Sequence, residues 1–426
     1  MAAGKLRYAA LAMGVAAALA SSPPPTVHAI LERSTPAAGD TLDVLPVQIT
    51  LSFSGPVEET GAVLRVLGPS DRIWDLVPRR AAGDARTLVA DMPPLETGGY
   101  RLEWRVISAD GHPVGDDFVF YVGGPGGSGG GELGQPPPHR MDAGGSHAGM
   151  AGSPHIAPRL IVIRVLADLA LLPLAGLLLF AAWARGSVTD LTGRATRLLA
   201  VAAPVLAVAY AWLWAGETLG QGGARLDGLL SLTTGRALTG ESALALLVPW
   251  ALLLARRTEL AAVFAILAVA AGGLGGHPAS YTPAVTLPAS VAHVVASAVW
   301  VGGLLFLVTE RGGERHDLAA RRVSGAALLS VVVVAVTGIV QSWTILGSLG
   351  RLLSPFGLVL LAKTVGFAGL IAFGAYHRFR LLPSLQWSEG PPEGSVRLSR
   401  SVAKELALAT CVVALAALLS HIPPTS

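Results

Sequence analysis

The chain has 426 residues, of which 52% are apolar and only 14% charged, with a formal net charge of +3. So few charges and a positive mean hydropathy exclude an ordinary soluble protein and place much of the chain in lipid, while Lys and Arg scattered in short clusters exclude a nucleic-acid surface. A single cysteine, Cys411 inside an apolar run, excludes a disulfide framework and a thiolate-built zinc or iron–sulfur centre.

The first residues carry Lys5 and Arg7, then the apolar run Tyr8 to Ala20, then small residues. This is the layout of a secretory signal peptide, expected over residues 1–27. Ala18-Leu19-Ala20 and Val27-His28-Ala29 both place small residues where a signal peptidase cuts, so the mature start is open. Over residues 28–123 the pattern changes to short alternating runs, with Val47, Ile49, Leu51 and Phe53 on one side and later Tyr100, Leu102, Trp104 and Val106. Period two, with Gly55-Pro56, Gly68-Pro69, Pro93-Pro94 and Gly98-Gly99 as turns, predicts one antiparallel β-sandwich or barrel. Residues 124–158 are rich in Gly, Pro, Ser and His and cannot bury enough surface to offset chain entropy, so they are expected to form a flexible tether. His139, Met141, His147, Met150 and His155 within it are borderline and soft ligands at irregular spacing.

Eight apolar runs follow, near 160–183, 195–216, 242–255, 260–275, 285–308, 323–342, 356–376 and 402–421. A bilayer core of about 30 Å needs about 20 helical residues, so most qualify and the third and fourth are short. With the β-domain outside, the odd-numbered connections are cytoplasmic, and they hold Arg185, Arg194, Arg197, then Arg256, Arg257, then Arg311, Arg315, Arg321, Arg322, then Arg378, Arg380, Arg397, Arg400 and Lys404. The outer connections offer only Arg225, Arg236 and Arg351, which agrees with the export signal. The expected architecture is an N-terminal all-β domain, a tether, and an all-α polytopic membrane domain of about eight helices over residues 159–421, with 422–426 an outer tail.

Asp110 and His112 stand two residues apart in the turn Ser108-Ala109-Asp110-Gly111-His112-Pro113, and imidazole with carboxylate suits Cu(II). Asp-Gly is also a common turn and loop histidines are mostly solvated. In the membrane region polar residues stand out: His277 at the mouth between the fourth and fifth runs, His293 about two turns into the fifth, and, at lower rank, Lys363 and Glu217. Arg164 and Asp168, four apart, read as a local ion pair, and His377 beside Arg378 and Arg380 reads as part of the inner positive cluster. Trp212, Trp214, Trp343 and Tyr281 fit an outer aromatic belt.

The segments His28-Ala29-Ile30-Leu31-Glu32-Arg33-Ser34-Thr35-Pro36, Leu51-Ser52-Phe53-Ser54-Gly55-Pro56 and Trp104-Arg105-Val106-Ile107-Ser108-Ala109-Asp110-Gly111-His112-Pro113 closely resemble the CopC family of periplasmic copper-binding proteins. The resemblance implies a Greek-key β-barrel and a Cu(II) site of His28, Asp110 and His112, with His28 the mature N-terminus. Cleavage after Ala20 would leave His28 only its ring, and cleavage after Ala29 would remove it. Met92 alone does not make the methionine-rich Cu(I) loop of that family. The fifth run with His293 and Trp300-Val301-Gly302-Gly303, together with Thr337-Gly338-Ile339-Val340-Gln341-Ser342-Trp343, Leu361-Ala362-Lys363 and Tyr376-His377-Arg378, resembles the CopD family of inner-membrane copper-resistance proteins. His277 and His293, where both face the bundle, are the expected copper entry site, with Cu(I) the further candidate species in the membrane and periplasmic copper carriers as expected partners beside the bilayer and the ion.

Three functions compete: copper capture at the extracytoplasmic face with transfer into or across the plasma membrane; capture or delivery without translocation; and a membrane oxidoreductase with haem on His277 and His293 or on His377 and His421. Among these the expected function is transfer by a non-enzyme, since no nucleotide-binding or hydrolytic motif is recognisable.

Overall fold

The structure is a computed structural model that describes residues 29–69, 72–109, 111–123, 158–184, 190–219, 226–276, 283–310, 314–381 and 393–422. The expected signal peptide, His28, Asp110, the tether with His139, Met141, His147, Met150 and His155, and His277 lie outside the described residues.

Residues 29–123 form a two-sheet β-sandwich. One sheet is ordered β1 (Leu31–Thr35), β3 (Gln48–Phe53), β7 (Asp84–Asp91), β6 (Arg79–Ala81). The other is ordered β2 (Thr41–Leu42), β9 (Pro113–Val122), β8 (Gly98–Ser108), β4 (Val57–Leu67), β5 (Ile73–Leu76). All pairings are antiparallel except the short β2–β9 pair, which is parallel. Alternation puts Ile49, Leu51 and Phe53 of β3 against Tyr100, Leu102, Trp104 and Val106 of β8 in one buried cluster. Phe53 meets Trp104 edge-on at 5.3 Å between ring centroids, which locks the two sheets face to face. Val47, expected in this run, instead precedes β3 and is exposed.

The helical part comprises α1 (Pro158–Ala184), α2 (Asp190–Leu219), the short α3 (Leu226–Ser231), α4 (Thr233–Pro249, prolonged by a wider turn to Leu254), α5 (Thr258–Gly272), α6 (Pro283–Thr309), α7 (Glu314–Leu346), α8 (Pro355–Tyr376) and α9 (Glu393–Leu419). Among the described residues seven helices are long and apolar enough to cross a membrane, and α5, with 15 residues, is the short one. The sequence reads the third run as starting at 242, but the apolar helix runs from Thr233 to Leu254 over 22 residues. Arg236 and Glu241 interrupt the apolar pattern there, and the fold accommodates Glu241 by pairing it rather than by ending the helix.

Helix α1 is the centre of the bundle, packed against α2, α5 and α6 through Leu171, Leu174, Ala175, Ala203, Ala265 and Ala298. Gly176 of α1 crosses Gly302 of α6 so closely that a Cβ at either would collide with the opposing backbone. Small residues at such crossings are what lipid-embedded helices use in place of a hydrophobic drive.

The sandwich rests on one end of this bundle. Ile107 of β8, fully buried, joins Leu160, Tyr210, Trp214, Leu229, Leu232 and Leu238 in a cluster that spans both parts. Arg105 of β8 donates to the backbone oxygens of Thr218 (2.9 Å) and Glu217 (3.2 Å) at the end of α2, satisfying carbonyls that a helix terminus leaves open. Thr233 at the start of α4 lies 3.3 Å from Glu58 of β4, which Arg80 also holds at 2.9 Å.

Candidate metal-handling site at the domain junction

The β8–β9 turn that carries His112 is fixed by its backbone. Gly111 N donates to Ser108 O at 2.8 Å, Ser108 N to His112 O at 2.9 Å, and Ala109 N to Pro56 O at 3.1 Å. Gly111 has φ of +88°, and a Cβ there would meet Trp214 Cζ2 at 2.8 Å and Thr234 Oγ1 at 3.0 Å. Both the left-handed backbone and the close approach to α2 and α4 require glycine. His112 is half-buried with Nδ1 out of solvent. Thr234 Oγ1 also accepts from Gly276 N at 3.2 Å, so one hydroxyl stands between the His112 turn and the loop that leads to His277.

Below the turn lies a ladder of buried polar groups. Tyr210, one helical turn from Trp214 on α2, has its hydroxyl 3.3 Å from Nε2 of His421, just past the end of α9. His421 is 7% exposed, and its Nδ1 lies 2.8 Å from Ala417 O. Burial pushes its pKa down to about 4, with the nearby His112 and Arg164 acting in the same direction against the bond to Ala417. Arg164 of α1 lies over the Tyr210 ring at 5.1 Å and pairs with Asp168 at 3.0 Å and with Glu241 of α4 at 3.2 Å. The spacing of Arg164 and Asp168 foretold their pair; the carboxylate 77 residues away completes it and makes it a tertiary network.

His293 stands apart on α6, with Nδ1 3.0 Å from Thr337 Oγ1 of α7. Thr337 donates its own proton to Val333 O at 2.6 Å, so its oxygen accepts from His293 Nδ1–H. Towards the other end of the bundle, His377 is not part of a solvated positive cluster: it is buried, with Nδ1 2.9 Å from Glu405 and Nε2 2.7 Å from Ser401 of α9. Its tertiary pairing removes it from solvent while Arg378 stays exposed beside it. These two line a largely apolar cavity of about 320 Å³. About 16 residues of α9, roughly 24 Å of helix, separate Glu405 from His421, so His377 and His421 do not meet as a haem pair. Trp214, read as belt, is 7% exposed inside the junction, whereas Trp212 and Trp343 do face outward. Glu217 is bound by Arg159. Among the described residues no group of three or more His, Cys, Asp or Glu side chains gathers in a metal-sized cluster.

Residues 31–123 match the CopC domain family and residues 317–419 match the family Copper resistance protein D. Over 119 residues the chain is 31% identical to Protein YobA of Escherichia coli (strain K12), covering 94% of that protein and 28% of this chain. The chain belongs to the CopC–CopD copper family. Its CopC domain is also 33% identical over 103 residues to Copper resistance protein C of Escherichia coli, covering 81% of that protein and 22% of this chain. The whole CopC–CopD arrangement aligns with Copper transport protein CutJ of Bacillus subtilis (strain 168), 25% identical over 427 residues, which is 93% of this chain and 74% of that protein. The chain is thus a multi-pass membrane protein of copper handling, with the His112 turn of its CopC domain seated on the helices that precede its CopD match.

Sequence reasoning did not select His421 as a copper ligand or Glu241 at all. The available signals were a histidine at the end of the last apolar run and an acid inside the third, both weak until the fold brings them to Tyr210 and Arg164.

Proposed function

We propose that the chain captures copper outside the cell with its CopC domain and passes it into the helical bundle, for copper uptake, homeostasis or resistance. His28, Asp110 and His112 are the proposed Cu(II) ligands; His277 and His293 are the proposed entry ligands of the bundle. His139, Met141, His147, Met150 and His155 on the proposed tether offer transient ligands to arriving copper. The observation that carries the reading is the seating of Gly111 against Trp214 and Thr234, which sets the turn bearing His112 over the end of the bundle rather than out in solvent. A domain that only sequestered copper has no need of that position.

The test is copper accumulation inside vesicles holding the full-length chain, with copper added on the CopC side. Accumulation above that of empty vesicles, and its loss in His112→Ala, is the expected result. Copper bound to the outside with none accumulated would leave delivery at the outer face as the function.

A further inference from the structure

The geometry points to His421 as the ligand of the helical domain that takes copper from the His112 turn ahead of the proposed ligands His277 and His293, with Tyr210 holding its imidazole ready. This rests on the transfer reading above and names the group that receives the ion.

Three observations carry it. The first is position: Gly111, next to His112, touches Trp214, and Tyr210, four residues earlier on the same face of α2, contacts His421. The second is which nitrogen is available. Ala417 O, 2.8 Å from Nδ1, can only accept, so Nδ1 carries the proton and Nε2 keeps its lone pair. A backbone carbonyl on the far nitrogen is the arrangement that orients metal-binding histidines. The third is burial: at 7% exposure, the ring is held between Tyr210 and the end of α9.

The transfer is a ligand exchange. A Cu–N bond forms at Nε2 of His421 as the Cu–N bond at His112 breaks, and the Tyr210 O–H gives up its contact with Nε2. No electron or proton moves, so the step needs no reductant.

The experiment uses the full-length chain in vesicles with two readouts, Cu(II) bound per protein and copper accumulated inside. His421→Ala is expected to keep the Cu(II) held by the CopC domain and to accumulate copper at least about tenfold more slowly; His421→Gln behaves alike, and His421→Glu, whose carboxylate suits Cu(II), restores accumulation. Wild-type accumulation in His421→Ala, or equal rescue by Gln and Glu, overturns the assignment while leaving capture and transfer intact. If wild type itself accumulates no copper, or His112→Ala has no effect, the transfer reading fails and the assignment falls with it. Should the Ala variant lose Cu(II) binding or elute as aggregate, the Gln and Glu pair decides alone.

Discussion

At the scale of single residues, the junction between the sandwich and the bundle turns on one glycine. Gly111 is required twice over, by its φ of +88° and by the side chains of Trp214 and Thr234 within 3.0 Å of where its Cβ would stand. The Asp-Gly-His spelling of the turn was legible in the sequence; its contact with a tryptophan some hundred residues away was not, because no local pattern encodes a tertiary neighbour. Trp214 shows the same limit, since an apolar helix of the second span gives tryptophan the look of a belt residue whichever way it faces. Elsewhere in the sandwich, charge pairs set an acid dependence. Bonds from Arg79 and Gln48 hold the Asp91 carboxyl below its ordinary range, and Arg86 N–H with the Thr87 hydroxyl does the same for Asp84. A carboxyl lowered in the folded state stabilises above its unfolded pKa of about 3.9, and that contribution disappears as pH falls through the lower folded value. Asp91→Asn should therefore lower the melting temperature of the sandwich slightly at pH 7 and not at pH 2. A difference that persisted unchanged at pH 2 would remove the ion pair as its cause.

At the scale of elements, periodicity was a good guide wherever one solvent covered one face. Ile49, Leu51 and Phe53 alternate inward as their spacing predicts, and each is at most 2% exposed. The spans were readable because a lipid-facing helix must be apolar nearly throughout. The reading stopped short at α4 because Glu241 looks like a helix end in sequence and is a buried ion-pair partner in the fold. Helix crossings were not readable, since glycine marks a turn, a bend or a close approach equally well. At the α1–α6 crossing, Gly176→Leu should force the two backbones apart and cost about 1–3 kcal/mol or more. The control is Gly325→Leu on α7, where an added Cβ meets nothing within 4 Å. Thermal unfolding in detergent compares the two; equal midpoints would show that the crossing tolerates separation.

At the scale of the whole molecule, the β-domain and the bundle meet through an apolar patch around Ile107 and through Arg105 on the end of α2. That docking seats the turn bearing His112 against Trp214 and Thr234, one helical turn along α2 from Tyr210 and its partner His421. Of the proposed Cu(II) ligands, the described residues contain His112, and its surroundings are the basis of the account. The measurement that tests the central claim most directly is a Cu(II) titration of the purified full-length chain beside His112→Ala, with the mature N-terminus read by mass spectrometry on the same sample. The account predicts a chain beginning at His28, one tightly held Cu(II), and at least a roughly 100-fold weakening on substitution, about 2.7 kcal/mol. Tight Cu(II) binding unchanged in His112→Ala, or no tight site in the wild type, would contradict it.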